Sequence, residues 1–204
     1  MTGVVLAGGK SIRMGTNKAV LEVGGRKLIE SVVEKLQALF PEVLIIANTP
    51  GLYETLGPKV FPDLIPDKGS LGGLYTGLSY ASYEQAFFAA CDMPFLNPDL
   101  IAFMKGEVEG YDVVIPKVQG ELHTLHAVYS KRCLPFMKEL IEQDKLKINA
   151  FFPKVRVKVI EEETIQRFDP HCFSFFNANT PEELALARRL SEGRSETRDW
   201  RLEP

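Results

Sequence analysis

Cysteine is scarce in this chain of 204 residues: only Cys91, Cys133 and Cys172 carry a thiol. They are far apart, odd in number and lack a C-x-x-C pair, so neither a disulfide framework nor a zinc site is indicated, and a reducing cytoplasm is expected. The three histidines, His123, His126 and His171, do not form a ligand set by spacing, and no metal is assigned to them. Long apolar runs are absent too. The longest, Ala86–Cys91, is far too short to span a bilayer. A strand-like run begins at Gly3, which leaves no room for a signal peptide. Charge of one sign does not dominate either: 24 Lys and Arg oppose 27 Asp and Glu, for a formal net charge of −3. That balance gives no basic footprint for nucleic acid, and no block of like charge marks a membrane-facing surface. No repeat, linker or low-complexity segment appears.

What is present is an ordinary globular composition, 45% hydrophobic and 25% charged, at a length that suits one domain with a real core. Short, bounded, continuously apolar runs lie at 42–47, 59–61, 86–91 and 112–116, the pattern of strands covered on both faces of a parallel sheet. Between them Leu28, Ile29, Val32, Val33, Leu36, Leu39 and Phe40 recur at the 3.6-residue period of a helix. Shorter helices are predicted at 71–81 and at 98–105, the second opening after Asn97 with Pro98 in its first position. Beyond residue 120 the pattern loosens. Strands are predicted at 125–129 and 155–160, the latter alternating in an antiparallel or edge manner, and helices at 134–143 and 181–190, with Thr180 as N-cap of the last. The expectation is an α/β fold: a mostly parallel, doubly wound, Rossmann-like sheet with helices on both faces and a small antiparallel insertion in the second half. Residues 1–190 form a single domain in this reading, and 191–204 a frayed charged tail.

The first eighteen residues carry the strongest chemical signal. The strand-like Gly3-Val4-Val5-Leu6 runs straight into Ala7-Gly8-Gly9 and a loop with Lys10, Ser11, Arg13 and Lys18. Glycines directly after a strand let backbone N–H groups approach a ligand that a Cβ would hold off. Such N–H groups beside several cations suit a polyphosphate. Two familiar glycine loops are excluded by spacing. Before Gly9-Lys10-Ser11 a Walker A loop would need glycine where Val4 stands, and the adjacency of Gly8 and Gly9 breaks the dinucleotide fingerprint.

In an open parallel sheet, ligands bind beyond the carboxyl ends of the strands. Gly8-Gly9, Asp63 and Asp92 each follow such an end, which predicts their convergence on one rim. For Asp92, directly after a fully apolar strand, two roles stand: capping the turn that Met93-Pro94 begins, or binding Mg²⁺, which at phosphate sites uses one or two carboxylates plus phosphate oxygens. Asp63 either caps Leu64-Ile65-Pro66 or faces a ligand. Gly72-Gly73, in the first turns of a helix, serve close packing or cradle a second phosphate. Asn177 and Asn179 are turn residues or ligand contacts.

Leu6-Ala7-Gly8-Gly9-x-Ser11-x-Arg13-Met14-Gly15-x-x-Lys18 resembles the signature loop of the nucleotidyltransferases that make activated sugars, alcohols and cofactors. Its Leu-Ala-Gly-Gly and Arg-Met-Gly forms are most similar to those of the molybdenum cofactor guanylyltransferases. Four later segments agree in order: Phe61-Pro62-Asp63, Gly69–Leu74, Cys91–Phe95 and Asn177–Leu184. The resemblance implies transfer of GMP from GTP to a molybdopterin-type cofactor, with molybdoenzymes or their chaperones receiving the product. It assigns Leu6, Ala7, Gly8, Gly9, Lys18, Asp63 and Asp92 to the nucleotide, Arg13, Lys18 and Asp92 to catalysis, and Mg²⁺ to Asp92. It places Gly72, Gly73, Asn177 and Asn179 on the acceptor side. Cytidylyl or other nucleotidyl transfer, to molybdopterin or to a sugar or alcohol phosphate, and nucleotide binding without turnover are the competing readings. The chain departs from the family at His123-Thr124-Leu125, where many relatives have His-Pro-Leu, and at Ile46, where some carry asparagine; whether Asn48 substitutes there is left open.

Overall fold

The computed structural model describes residues 1–8, 19 and 21–192. Strand β1 (Thr2–Leu6) leads, past the glycine loop, to a two-strand antiparallel hairpin, β2 (Glu22–Val23) and β3 (Arg26–Lys27). Then come α1 (Leu28–Leu39), β4 (Glu42–Ile46), β5 (Lys59–Phe61), α2 (Gly69–Tyr80), β6 (Gln85–Ala90) and α3 (Pro98–Gly106). The second half holds β7 (Val113–Val118), β8 (Glu121–Leu122), β9 (His126–Ser130), α4 (Leu134–Glu142), β10 (Val157–Ile160), α5 (Glu162–Ile165) and α6 (Pro181–Ser191). The main sheet has the order β10-β7-β9-β6-β1-β4-β5, with β8 attached to β7. Pairs β1–β4, β1–β6, β4–β5 and β7–β10 are parallel. The antiparallel element expected in the second half is β9, which lies inside the sheet between β6 and β7, together with the short β8.

Strand side chains alternate between two apolar layers, as the pleat requires. Val5, Ile45, Phe87, Ala89, Val114 and Val128 pack with α1 and α3, while Val4, Leu6, Ile46, Phe88, Ile115 and Tyr129 pack with α2 and α4. The continuous apolar runs are thus explained, since both faces of these strands are covered. On the second face α2 lies very close to the sheet. A Cβ on Gly77 would stand 2.7 Å from Val4 Cγ1 and 2.8 Å from Phe88 Cε1.

The edge segment expected at 155–160 is β10, and it runs parallel to β7, not antiparallel. Period-two alternation reports a half-solvated strand and carries no information on direction. Asn97 caps α3 as predicted, its Oδ1 accepting from Leu100 N at 2.9 Å. Thr180 caps α6 in a reciprocal box with Glu183. No helix among the described residues is long and apolar enough to cross a membrane, and no disulfide links the three cysteines.

A third, smaller apolar cluster sits beside the sheet. Val23, Leu28, Phe176, Ala178, Leu184 and Ala187 form it, with Phe95 packed against them. It ties α6 to the hairpin that follows the glycine loop, and Arg188 Nε donates to Glu22 O at 2.9 Å across the same contact.

Candidate functional site

The sheet register levels the strand ends. Leu6 lies opposite both Ile46 and Ala90, and Ile46 lies opposite Phe61, so β1, β4, β5 and β6 finish in one row. Pairing extends one residue further, with Ala7 N donating to Ile46 O, Ala47 N to Phe61 O and Cys91 N to Leu6 O. Gly8, Asn48, Asp63 and Asp92 therefore leave the sheet side by side on its carboxyl rim. Helix α2 runs back from β5 to β6, which puts its amino end on the same rim.

Leu6 is buried, its side chain in the α2 layer, and the Ala7 amide is taken by the ladder. Gly8 is the first residue of the motif with an exposed main chain, and a Cβ there would meet nothing within 4 Å among the described residues. Packing does not demand a glycine at that point; close approach of a ligand would. Gly9, Lys10, Arg13 and Lys18 lie outside the described residues.

Asp63 is gripped by Asn48: Asn48 Nδ2 donates to Asp63 Oδ2 at 2.8 Å, and Asp63 N donates to Asn48 Oδ1 at 2.9 Å. This reciprocal pair fixes the carboxylate at the rim with Oδ1 outside the Asn48 contact. Ile46 is 2% exposed and its side chain belongs to the core, so that side chain offers the rim no polar contact. Asn48 acts instead by holding Asp63. Gly73 faces the same corner, where a Cβ would come within 3.3 Å of Leu6 Cδ2 and 3.9 Å of Asp63 Oδ1. Gly72 is buried against Lys68 and Ile65 O, with its would-be Cβ 2.8 Å from Lys68 Cβ. Both glycines have a packing reason in the structure.

Asp92 follows β6 in a turn closed by Met93 N donating to Ala90 O at 3.3 Å. Contacts from both sides hold its loop. Lys35 Nζ, from α1, donates to Pro94 O at 2.8 Å, and burial lowers the Lys35 pKa. Ala178 N donates to Asp92 O at 3.0 Å. That bond draws Asn177 and Asn179, which flank Ala178, to the Asp92 end of the rim. Their side of the site is thus brought against the Asp92 loop, although some eighty residues separate them in sequence.

The comparisons with known proteins agree with this fold. Residues 3–156 match the family described as the MobA-like NTP transferase domain. The chain belongs to this family. It is 41% identical over 98% of its length to a protein named probable molybdenum cofactor guanylyltransferase from Pelotomaculum thermopropionicum, of which it covers 97%. It is 39% identical over 92% of its length to a molybdenum cofactor guanylyltransferase from Desulfosudis oleivorans, covering 94% of that protein. Among solved structures, molybdopterin-guanine dinucleotide biosynthesis protein A from Archaeoglobus fulgidus superposes with a TM-score of 0.83 at 30% identity, over 95% of this chain and all of that one.

Chemistry elsewhere in this MobA-like domain is muted. Burial pushes the Cys133 thiol up to about 12, and Asp112 beside it acts in the same direction, so it is no nucleophile at neutral pH. His126 is fully buried among Phe87 and Phe175, and desolvation pulls its pKa down to about 3. A groove of about 590 Å³ lies at the opposite, amino ends of β4 and β5, lined in part by Phe40, Glu42, Lys59 and Tyr83. Its carboxylate, Glu42, is engaged by Thr2 and Ser82. Sequence spacing missed Asn48 as the partner of Asp63 and missed Lys35 altogether. The one available hint was an asparagine directly after the apolar run 42–47.

Proposed function

We propose that this chain transfers GMP from GTP to a molybdopterin-type molybdenum cofactor, releasing pyrophosphate. The observation that carries this reading is the convergence of Gly8, Asp63 and Asp92 on one sheet rim, in a chain whose relatives are named for that transfer. An oxygen of the acceptor's terminal phosphate attacks the α-phosphorus of GTP. A P–O bond forms there as the α–β anhydride bond breaks, and pyrophosphate departs with the electron pair. Such in-line displacement asks the protein for positioning and charge neutralisation, with no covalent intermediate.

The exposed Gly8 main chain, with Gly9, would approach the phosphates, while Arg13 and Lys18 would neutralise the charge that develops on pyrophosphate. Asp63, held by Asn48, would orient the nucleotide. Asn177 and Asn179 would receive the acceptor, with Gly72 and Gly73 lining the α2 side. Asp92 would hold Mg²⁺: a carboxylate at a strand end beside the phosphates is the hard oxygen donor that this ion takes at phosphate sites. Bound there, Mg²⁺ would screen the phosphate charge that repels the incoming nucleophile. Product then passes to molybdoenzymes or their chaperones in this reading.

The test is incubation of purified protein with Mg²⁺, molybdopterin cofactor and each of GTP, CTP, ATP and UTP in turn. Guanine dinucleotide product from GTP alone is expected, and comparable turnover with CTP overturns the assignment. Asp92→Ala should fold normally and lose turnover; near-normal turnover at saturating Mg²⁺ would show that Asp92 does not hold the metal.

A further inference from the structure

The segment that carries Asn177 and Asn179 has almost no regular structure of its own. Between α5 and α6 it contains only a single 3-10 turn at Phe173–Phe175, entered through Cys172 in the left-handed region at φ 54°. Backbone groups in such a buried stretch need acceptors from outside any ladder or helix. Asp169 supplies them. It is 6% exposed, and its Oδ1 accepts from Phe173 N at 3.1 Å while Oδ2 accepts from Ser174 N at 2.7 Å. A carboxylate receiving two backbone N–H groups makes charge-assisted bonds, stronger than neutral ones.

Ser174, fully buried, passes this anchorage onward. Its Oγ accepts from Asn97 N at 2.9 Å, and Asn97 Nδ2 donates to Phe168 O at 2.9 Å. Asn97 closes the loop that starts at Asp92. With Ala178 N donating to Asp92 O, three hydrogen bonds lace residues 92–97 to residues 168–178. Remove the carboxylate, and the 173–174 amides lose their acceptors while Ser174 loses the fixed backbone that aims its hydroxyl. The Asn97–Ser174 link between the rim's two halves would then be loosened, leaving the Ala178–Asp92 and Asn97–Phe168 bonds and apolar contacts to hold them.

We propose that Asp169 is a positioning residue for the transfer: acting through Ser174 and Asn97, it sets the distance between Asp92 and the Asn177–Asn179 segment. The proposal rests on the assignment of those residues to the reacting centre, and goes beyond it by giving a role to a buried group that touches neither substrate. Reaction geometry is sensitive to displacements of about 1 Å, so a loosened clamp should cost rate without abolishing the fold.

Two variants test it. Asp169→Asn keeps the volume and one acceptor oxygen; Ser174→Ala cuts only the link to Asn97. Both are assayed at a temperature where circular dichroism shows them folded. Expected is a fall of about tenfold in kcat or a like rise in acceptor KM, the scale of one lost hydrogen bond, with the GTP dissociation constant changed by less than about threefold. Native-state hydrogen exchange at the Ala178 and Asn97 amides should accelerate, while exchange in β1 and β6 should not. Wild-type kcat and acceptor KM despite faster exchange would overturn the proposal, leaving the clamp purely structural. So would a kinetic loss with Ala178 protection intact, or a GTP affinity that falls in parallel. If Asp169→Asn fails to fold, Ser174→Ala decides alone. Exchange needs no acceptor, so failure of the guanylyl assignment in the nucleotide assay remains distinguishable from failure of the clamp.

Discussion

Replacing His126 with Phe should flatten the acid limb of this protein's stability. His126 sits on β9 facing Ala89, fully buried, with neither ring nitrogen hydrogen-bonded among the described residues. Phe87 meets it edge-on at 5.1 Å, Phe175 lies at 4.8 Å, and the nearby His123 disfavours a second positive charge. Desolvation is the larger cause and holds the folded pKa near about 3, against 6.5 when unfolded. The unfolded chain therefore binds a proton in the window between, and the folded chain does not. Stability from this group is fully present above 6.5 and falls as pH drops toward 3. Between pH 7 and pH 5 the loss is about 2 kcal/mol, from about 1.4 kcal/mol per unit once the unfolded imidazole is charged. Glu42 and Asp112, whose folded values are also lowered, titrate mainly below that window. Half-buried His123, likewise lowered, contributes with the same sign and stays in both proteins. The wild-type minus His126→Phe difference therefore isolates His126. Urea denaturation at steps from pH 7 to pH 5 measures it, and the slope is insensitive to any overpacking by the larger ring. If the variant loses stability with falling pH as steeply as wild type, the imidazole is not buried in the neutral form and the reasoning fails.

Gly77→Ala should destabilise by about 1–2 kcal/mol. The new methyl would overlap both Val4 and Phe88, which puts the overpacking in the upper part of its range, about 2–3 kcal/mol, and better helix propensity returns about 1 kcal/mol. A thermal melt with an unchanged or raised Tm would show that α2 does not lie that close to the sheet. Lys18→Ala should lower kcat/KM for GTP by about tenfold to a hundredfold, the scale of one charge-assisted hydrogen bond, while Lys10→Ala leaves it unchanged. Damage from Lys10→Ala with a silent Lys18→Ala would misplace the loop on the triphosphate.

Much of the fold was legible because burial on both faces leaves a plain mark. The runs at 42–47 and 86–91 are apolar from Val43 to Ala47 and from Ala86 to Cys91, and they became β4 and β6, next to β1 on either side. Caps were equally plain, since Asn97 and Thr180 carry short oxygen-bearing side chains ahead of Pro at the first helical position. Direction of pairing was not legible. Val157 and Val159 alternate alike in a parallel or an antiparallel edge strand, and β9 shows nothing in its sequence to say that it inserts between β6 and β7.

Within the site, the same division holds. Composition, the spacing of Gly8-Gly9 and the position of Asp63 and Asp92 after apolar runs are local properties, and the sequence by itself determined an α/β chain with those residues at strand ends. The level row of strand ends depends on register between strands far apart in the chain, which no local pattern encodes. Asn48 meets Asp63 because β4 and β5 are neighbours, and Asn177 reaches the Asp92 loop because the next residue, Ala178, donates its N–H to Asp92 O. The clamp through Asp169, Ser174 and Asn97 likewise joins residues up to 77 positions apart. Hydrogen bonds of that kind satisfy buried backbone groups left over once sheet and helices have formed, so they exist only after the layers have packed. Tertiary structure alone decided them.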